Sequence, residues 1–177
     1  MLVFDIDGVI RDLTGAMCQK HNLPTPQVWY YYHDGLSYMD YLRKDRSIYL
    51  TAQPTEYFQV IKQIIVECLS VDVPVELWTH QTDHNFCALT RDWVAQHLPI
   101  CNGLIKFKTG DEKIDSLSVN DLLVEDNPTL KSFDNVVLID RIYNQSVVCS
   151  RVKSPQELKR YIADYLMLKY GFKLKGC

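Results

Sequence analysis

Asp5 and Asp7 stand two residues apart in LVFDIDGVIRD, Leu2–Asp12, where a short apolar run stops at Gly8. Like charges held this close repel, and one carboxyl resists ionisation unless a cation offsets the crowding. A second acidic pair, Glu125 and Asp126, closes the apolar run of NDLLVEDNP, and a third run, VPVELW, closes on Thr79 and His80. Clustered carboxylates suit a hard divalent ion that prefers oxygen ligands, and Mg²⁺ fits a site that also holds a phosphate. Thr79 would offer that phosphate a hydroxyl and an N–H, and a nearby lysine would neutralise further charge. Each motif alone has a plainer reading. Asp-x-Asp before glycine is ordinary turn chemistry, with the carboxylate capping backbone groups, and Glu125-Asp126-Asn127-Pro128 is an ordinary strand exit. In chain order, each at the end of an apolar run, they point to chemistry.

For these residues to meet, the runs that carry them must be neighbouring strands. Leu2–Ile6, Val73–Trp78, Leu104–Phe107, Leu122–Glu125, Val136–Asp140 and Val147–Val148 read as strands. Between them, a helix opened by Pro54 carries Tyr57, Val60, Ile61, Ile64, Ile65 and Cys68 at helical spacing. Phe86–His97, Asp111–Leu117 and Pro155–Tyr170 read as further helices, with Trp93 as core. The alternation predicts an α/β fold: a Rossmann-like parallel sheet with helices on both faces. Ligands of such sheets bind beyond the carboxyl ends of the strands, where the polar residues accumulate here.

The length of 177 residues suits one domain with a small insertion, and 47% hydrophobic residues supply a core. A net charge of -3 gives no basic field for duplex nucleic acid or an anionic membrane. The six cysteines, Cys18, Cys68, Cys87, Cys101, Cys149 and Cys177, form no CxxC pair and no zinc spacing, so they read as free thiols in a reducing cytosol. Asp5 and Asp7 interrupt the first apolar run too early for a signal peptide, and no run is long enough to span a bilayer. A soluble, cytoplasmic protein is expected. The sequence leaves room for a homodimer without fixing an oligomeric state.

The sequence resembles the haloacid dehalogenase-like superfamily of aspartyl phosphohydrolases. FDIDGV matches its first motif, the strand ending in Thr79 its second, and LLVEDNP its acidic fourth. Lys113 in TGDEKID is the choice for its third motif, with Lys106 and Lys108 as alternatives. RDWVAQHLP, GDEK, NDLLVEDNP and LIDRIYNQ are similar to segments of the 5′(3′)-deoxyribonucleotidase-like branch. The likeness covers most of Leu2–Asp12 and Pro54–Val152.

The resemblance implies a Mg²⁺-dependent phosphomonoesterase. Asp5 would be the nucleophile, forming an aspartyl-phosphate, and Asp7 the acid and then the base, with its carbonyl on Mg²⁺. Asp126 would complete the protein ligands, and Glu125 would ligate weakly or hold a metal-bound water. Thr79 and the His80 N–H would hold the phosphoryl group, and Lys113 would bridge it to Asp5. Glu125 replaces the usual Asp of this branch, and His80-Gln81 replaces its usual Ser-Pro.

Residues 13–53 would then form a small helical cap on a core of residues 1–12 and 54–177. Trp29, Tyr30, Tyr31, Tyr32, Tyr38 and Tyr41 make it strongly aromatic. Tyr30 and Tyr31 are the candidates to stack on a nucleobase, against the alternative that the aromatics are the cap's own core. Arg43, Lys44 and Arg46 read as a solvated face, and His21, His33, His84 and His97 as surface or packing residues. Asp140 and Asn144 read as turn caps that steady the phosphate loop. The expected substrate is a nucleoside monophosphate. The alternatives are a phosphosugar, a polynucleotide 3′-end, and a binding protein without turnover. Halide displacement is disfavoured because it does not need Asp7.

Overall fold

The computed structural model describes residues 1–130 and 134–176, so Cys177 lies outside the described residues. In chain order the first half contains β1 (Leu2–Asp5), α1 (Leu13–His21), β2 (Tyr32–His33), β3 (Leu36–Ser37), α2 (Tyr38–Lys44), α3 (Ile48–Thr51) and α4 (Phe58–Leu69). There follow β4 (Val75–Thr79), α5 (His84–His97), β5 (Ile105–Phe107), α6 (Gly110–Ser116), β6 (Leu122–Glu125), β7 (Val136–Ile139), β8 (Arg151–Val152) and α7 (Pro155–Tyr170).

Six of the strands form one parallel sheet in the order β5-β4-β1-β6-β7-β8. Side chains alternate across it. Leu2 and Phe4 face a core closed by α4, α5 and α7, while Val3, Trp78, Leu123 and Leu138 face a smaller one that takes Ile114 of α6 and Leu130. Buried on both sides, β1, β6 and β7 are apolar runs rather than alternating strands, as the interior of a parallel sheet requires, while edge strand β5 exposes Lys106. The fold is the expected Rossmann-like α/β sheet flanked by helices, with most of the helical cover on one face. No helix among the described residues is long and apolar enough to cross a membrane.

Three expectations need correction. The helix read from Pro54 begins at Phe58. Pro54 instead bridges Arg11, and the Thr55 hydroxyl donates to the Val9 carbonyl, so this stretch ties the returning chain to the loop after β1. Val147–Val148 is not a strand. Val148 is exposed, and the last strand is Arg151–Val152, whose buried Val152 pairs with Ile139.

The third correction concerns residues 13–53, which are not purely helical: β2 and β3 form an antiparallel hairpin. Its turn, Asp34-Gly35, has positive φ at both residues (48° and 74°), the two-residue turn that Asp-Gly favours. These residues build their own apolar cluster from Leu13, Met17, Leu42, Ile48 and Tyr49. They add Phe86 of α5, which stacks on Tyr49 at 4.7 Å between ring centroids.

Candidate active site

The register of the sheet explains why distant motifs converge. β1 lies between β4 and β6, with Asp5 beside Trp78 and Phe4 beside Val124. Thr79 and Glu125 therefore finish their strands next to Asp5, and the following turns bring Asp7 and Asp126 to the same end. A cavity of about 250 Å³ opens there, beneath residues of the 13–53 insertion.

Lys113 reaches the floor from α6. Thr109 caps that helix, accepting from Glu112 N–H, while the Glu112 carboxylate accepts from Thr109 N–H. This reciprocal cap sets the helix start, and Lys113, four residues after Thr109, turns inward. Its ammonium is buried and donates to Asp5 Oδ1 and, at 2.7 Å, to Glu125 Oε2. Burial opposes the charged ammonium, but the carboxylates of Asp5 and Glu125 outweigh it and hold Lys113 above its ordinary value. Of the alternatives, Lys106 is exposed on β5, and Lys108 bonds the Ser116 hydroxyl at 2.6 Å.

Asp5 is buried, and among the described residues its Oδ2 accepts no hydrogen bond. Burial, then the charge of Glu125, push its carboxyl well up; Lys113 opposes the shift, while Asp126 and Asp7 add to it. Asp126 is raised for similar reasons, burial first and Glu125 second, with the Tyr143 hydroxyl opposing. Tyr143 donates to Asp126 Oδ2, and Asn144 donates to the carbonyls of Asp126 (2.8 Å) and Ile139 (2.9 Å). Asn144 thus fixes the acidic turn to the end of β7. Gly8 packs against the Asp126 carboxylate so closely that a Cβ there would collide with it, and its φ of +84° favours glycine independently. Arg141 holds the Gly8 carbonyl through Nε (3.1 Å) and Nη2 (2.7 Å).

Asp5, Glu125 and Asp126 each place one carboxylate oxygen within 4.8 Å of the others. The donor set is all oxygen and carries excess negative charge, which fits a hard cation such as Mg²⁺. Glu125 contributes least to such a set, because Oε2 accepts from Lys113 and Oε1 from the N–H groups of Asp126 and Asn127.

Asp7 is held differently. Its Oδ1 accepts from Arg11 Nε at 2.7 Å, and its Oδ2 from the Thr79 hydroxyl and the Gln81 amide, both at 3.1 Å. Thr79 is fully buried and lines the cavity with its hydroxyl already on Asp7. His80 is exposed at the rim, and its N–H has no partner among the described residues.

The outer wall comes from the insertion: Pro26, Val28, Trp29, Tyr31, Tyr38 and Met39. Tyr31 lines the cavity as expected, but Tyr30 does not. It is 75% exposed and lies outside the wall, at a bend where the Tyr31 N–H donates to the Trp29 carbonyl at 3.1 Å. Trp29 instead leans on Tyr143, with ring centroids 5.5 Å apart.

Sequence reasoning passed over Arg11, Gln81, Tyr143 and the wall position of Trp29. Arg11 carried a signal, a charged residue four positions after Asp7 in an otherwise apolar loop. No protein-family model and no curated protein matches the chain.

Proposed function

We propose that this chain is a Mg²⁺-dependent phosphomonoesterase of the haloacid dehalogenase-like kind, working through an aspartyl-phosphate on Asp5. The observation that carries the reading is the state of Asp5 at the end of the central strand. One oxygen is fixed by buried Lys113 and the other has no donor among the described residues, with Asp7 two residues on and Asp126 alongside. A carboxylate with one oxygen anchored and one open is poised as a nucleophile.

In the first step Asp5 Oδ2 attacks phosphorus, the ester P–O bond breaks, and Asp7 gives its proton to the leaving oxygen. In the second, Asp7 takes a proton from water, whose oxygen attacks phosphorus and frees Asp5. Lys113 faces Asp5 Oδ1 throughout and offsets charge gathering on the phosphoryl oxygens. Asp5 and Asp126, with the Asp7 carbonyl, would hold Mg²⁺, which supplies charge neutralisation when bound. Positioning and electrostatics carry most of such a transfer.

The substrate we infer is a nucleoside monophosphate. The wall formed by Trp29, Tyr31 and Tyr38 is aromatic and uncharged, suited to a base rather than to a polyol. Among the described residues Lys113 is the one lysine or arginine lining the cavity, and it is committed to Asp5 and Glu125, so none of them offers a second phosphate a free cation. That favours a mononucleotide over a polynucleotide end. The test is phosphate release from 5′- and 3′-nucleoside monophosphates and phosphosugars, with Mg²⁺ or EDTA, for wild type and Asp5→Asn. Metal-dependent release from nucleotides, lost in the variant, supports the reading. Release from sugars alone removes the substrate assignment, and no release removes the activity.

A further inference from the structure

Arg11 is a charged side chain with no exposed surface. Its Nε bonds Asp7 Oδ1 at 2.7 Å, Nη1 donates to the Tyr49 carbonyl at 3.1 Å, and Nη2 donates to the Thr90 hydroxyl at 3.0 Å. The guanidinium also lies over the rings of Tyr49 and Trp93, 5.1 and 5.4 Å from their centroids. Its position is therefore fixed from the insertion on one side and from α5 on the other.

Gln81 approaches the opposite oxygen of Asp7. Its amide nitrogen donates to Oδ2 at 3.1 Å, while its carbonyl oxygen accepts from the Tyr49 hydroxyl, also at 3.1 Å. Tyr49 is itself buried and stacked on Phe86. One residue of α3 thus fixes two of the three side chains that donate to Asp7, Arg11 through its carbonyl and Gln81 through its phenol, while Thr79 is set by the end of β4. Taking a guanidinium out of water costs several kcal/mol unless its partners are well arranged. An apolar side chain would fill the same space without that cost, so the core gains nothing from the charge alone.

We propose that Arg11 and Gln81, both anchored by Tyr49, are positioning residues that hold the Asp7 carboxyl in the orientation needed to pass a proton to the leaving oxygen. The inference rests on the phosphomonoesterase reading. It also gives the insertion a second task besides walling the cavity, since α3 aims the residue that transfers the proton.

The test compares leaving groups. A nucleoside leaves as an alkoxide and needs a proton in the transition state, whereas 4-nitrophenol leaves as a stable phenolate without one. Release of the leaving group in a single turnover, nucleoside from a nucleoside monophosphate and nitrophenolate from 4-nitrophenyl phosphate, is measured for wild type, Arg11→Lys, Gln81→Met and Asp7→Asn, with thermal melts of each. Lysine cannot reproduce the planar fork of arginine. The clamp predicts that Arg11→Lys and Gln81→Met slow nucleoside release in the first turnover by about 10²-fold. Nitrophenolate release in the first turnover should stay within about tenfold of wild type, and Asp7→Asn should show the same contrast more strongly. Hydrolysis of the shared aspartyl-phosphate, which uses Asp7 as base, should slow for both substrates alike. Adding Arg11→Lys to Asp7→Asn should cost nothing further. Equal losses of first-turnover release on both substrates would overturn the clamp and leave a structural role, as would nucleoside release unchanged in folded Gln81→Met. Wild type inactive on both substrates would instead overturn the phosphomonoesterase reading, and the clamp with it.

Discussion

Replacing Lys113 by methionine tests the electrostatics of the cavity floor without requiring turnover. The ammonium lies 2.7 Å from Glu125 Oε2 and also bonds Asp5, with all three residues buried. At an effective dielectric of about 20, one such pair attracts by roughly 6 kcal/mol. Much of that attraction is cancelled by the desolvation of the charges. Removing one partner nevertheless leaves carboxylates buried without compensation, and such losses run to about 3–5 kcal/mol. For a chain of this size that corresponds to a fall in Tm of roughly 6–20 °C. Chemical denaturation of wild type and Lys113→Met in EDTA at neutral pH would measure the cost. Glu125→Gln in the same background should recover part of it, because it removes one of the stranded charges. A loss below about 1 kcal/mol, the range of an exposed ion pair, would refute the reasoning.

Other outcomes follow from the same geometry. Asp5 and Asp126 have carboxyls raised by burial and by Glu125, so the folded chain binds protons there more tightly than the unfolded chain. Their contribution to stability is complete below the ordinary carboxylate range of about 4 and is lost as pH rises through the raised values. Mg²⁺ competes for the ionised carboxylates, so the gain in Tm on adding it should grow with pH in thermal melts, and a gain independent of pH would count against the metal site. Gly8→Ala should destabilise by at least about 1–2 kcal/mol from the positive φ alone, and should lower activity because the new Cβ displaces Asp126; a stable, fully active variant would contradict the packing. Trp29→Ala should raise KM for nucleoside monophosphates by roughly 5- to 150-fold if the indole stacks on the base, with little change for small aryl phosphates in steady-state assays.

The geometry of the candidate site was legible because it sits on strands. Apolar runs that end in acids or threonine give away both the strand and its carboxyl end, so Asp5, Thr79 and Glu125 converge as the sequence implied. Lys113 was legible through the likeness of TGDEKID to a known motif; Thr109 and Glu112 of the same stretch, which form a reciprocal helix cap, were a local signal for the helix that carries it. The insertion was harder. Its aromatic residues carry no clean period, and the Asp34-Gly35 turn was outweighed by the surrounding helix-like spacing. Whether Tyr30 or Trp29 faces the cavity depends on tertiary packing against Tyr143, which no local pattern encodes. The contacts of Arg11 were hidden for a related reason. Two of its partners, Tyr49 and Thr90, lie 38 and 79 residues away and meet it only once α3 and α5 are packed.

The most direct test of the central claim is to trap the covalent intermediate. Wild-type protein turning over a nucleoside monophosphate with Mg²⁺ would be quenched, reduced with borohydride and mapped by peptide mass spectrometry. An aspartyl-phosphate is reduced to homoserine, so the account predicts homoserine at position 5, only when substrate is present, and none at position 7. Rapid phosphate release with no modification at Asp5 would contradict it, and modification at Asp7 instead would exchange the roles of the two aspartates.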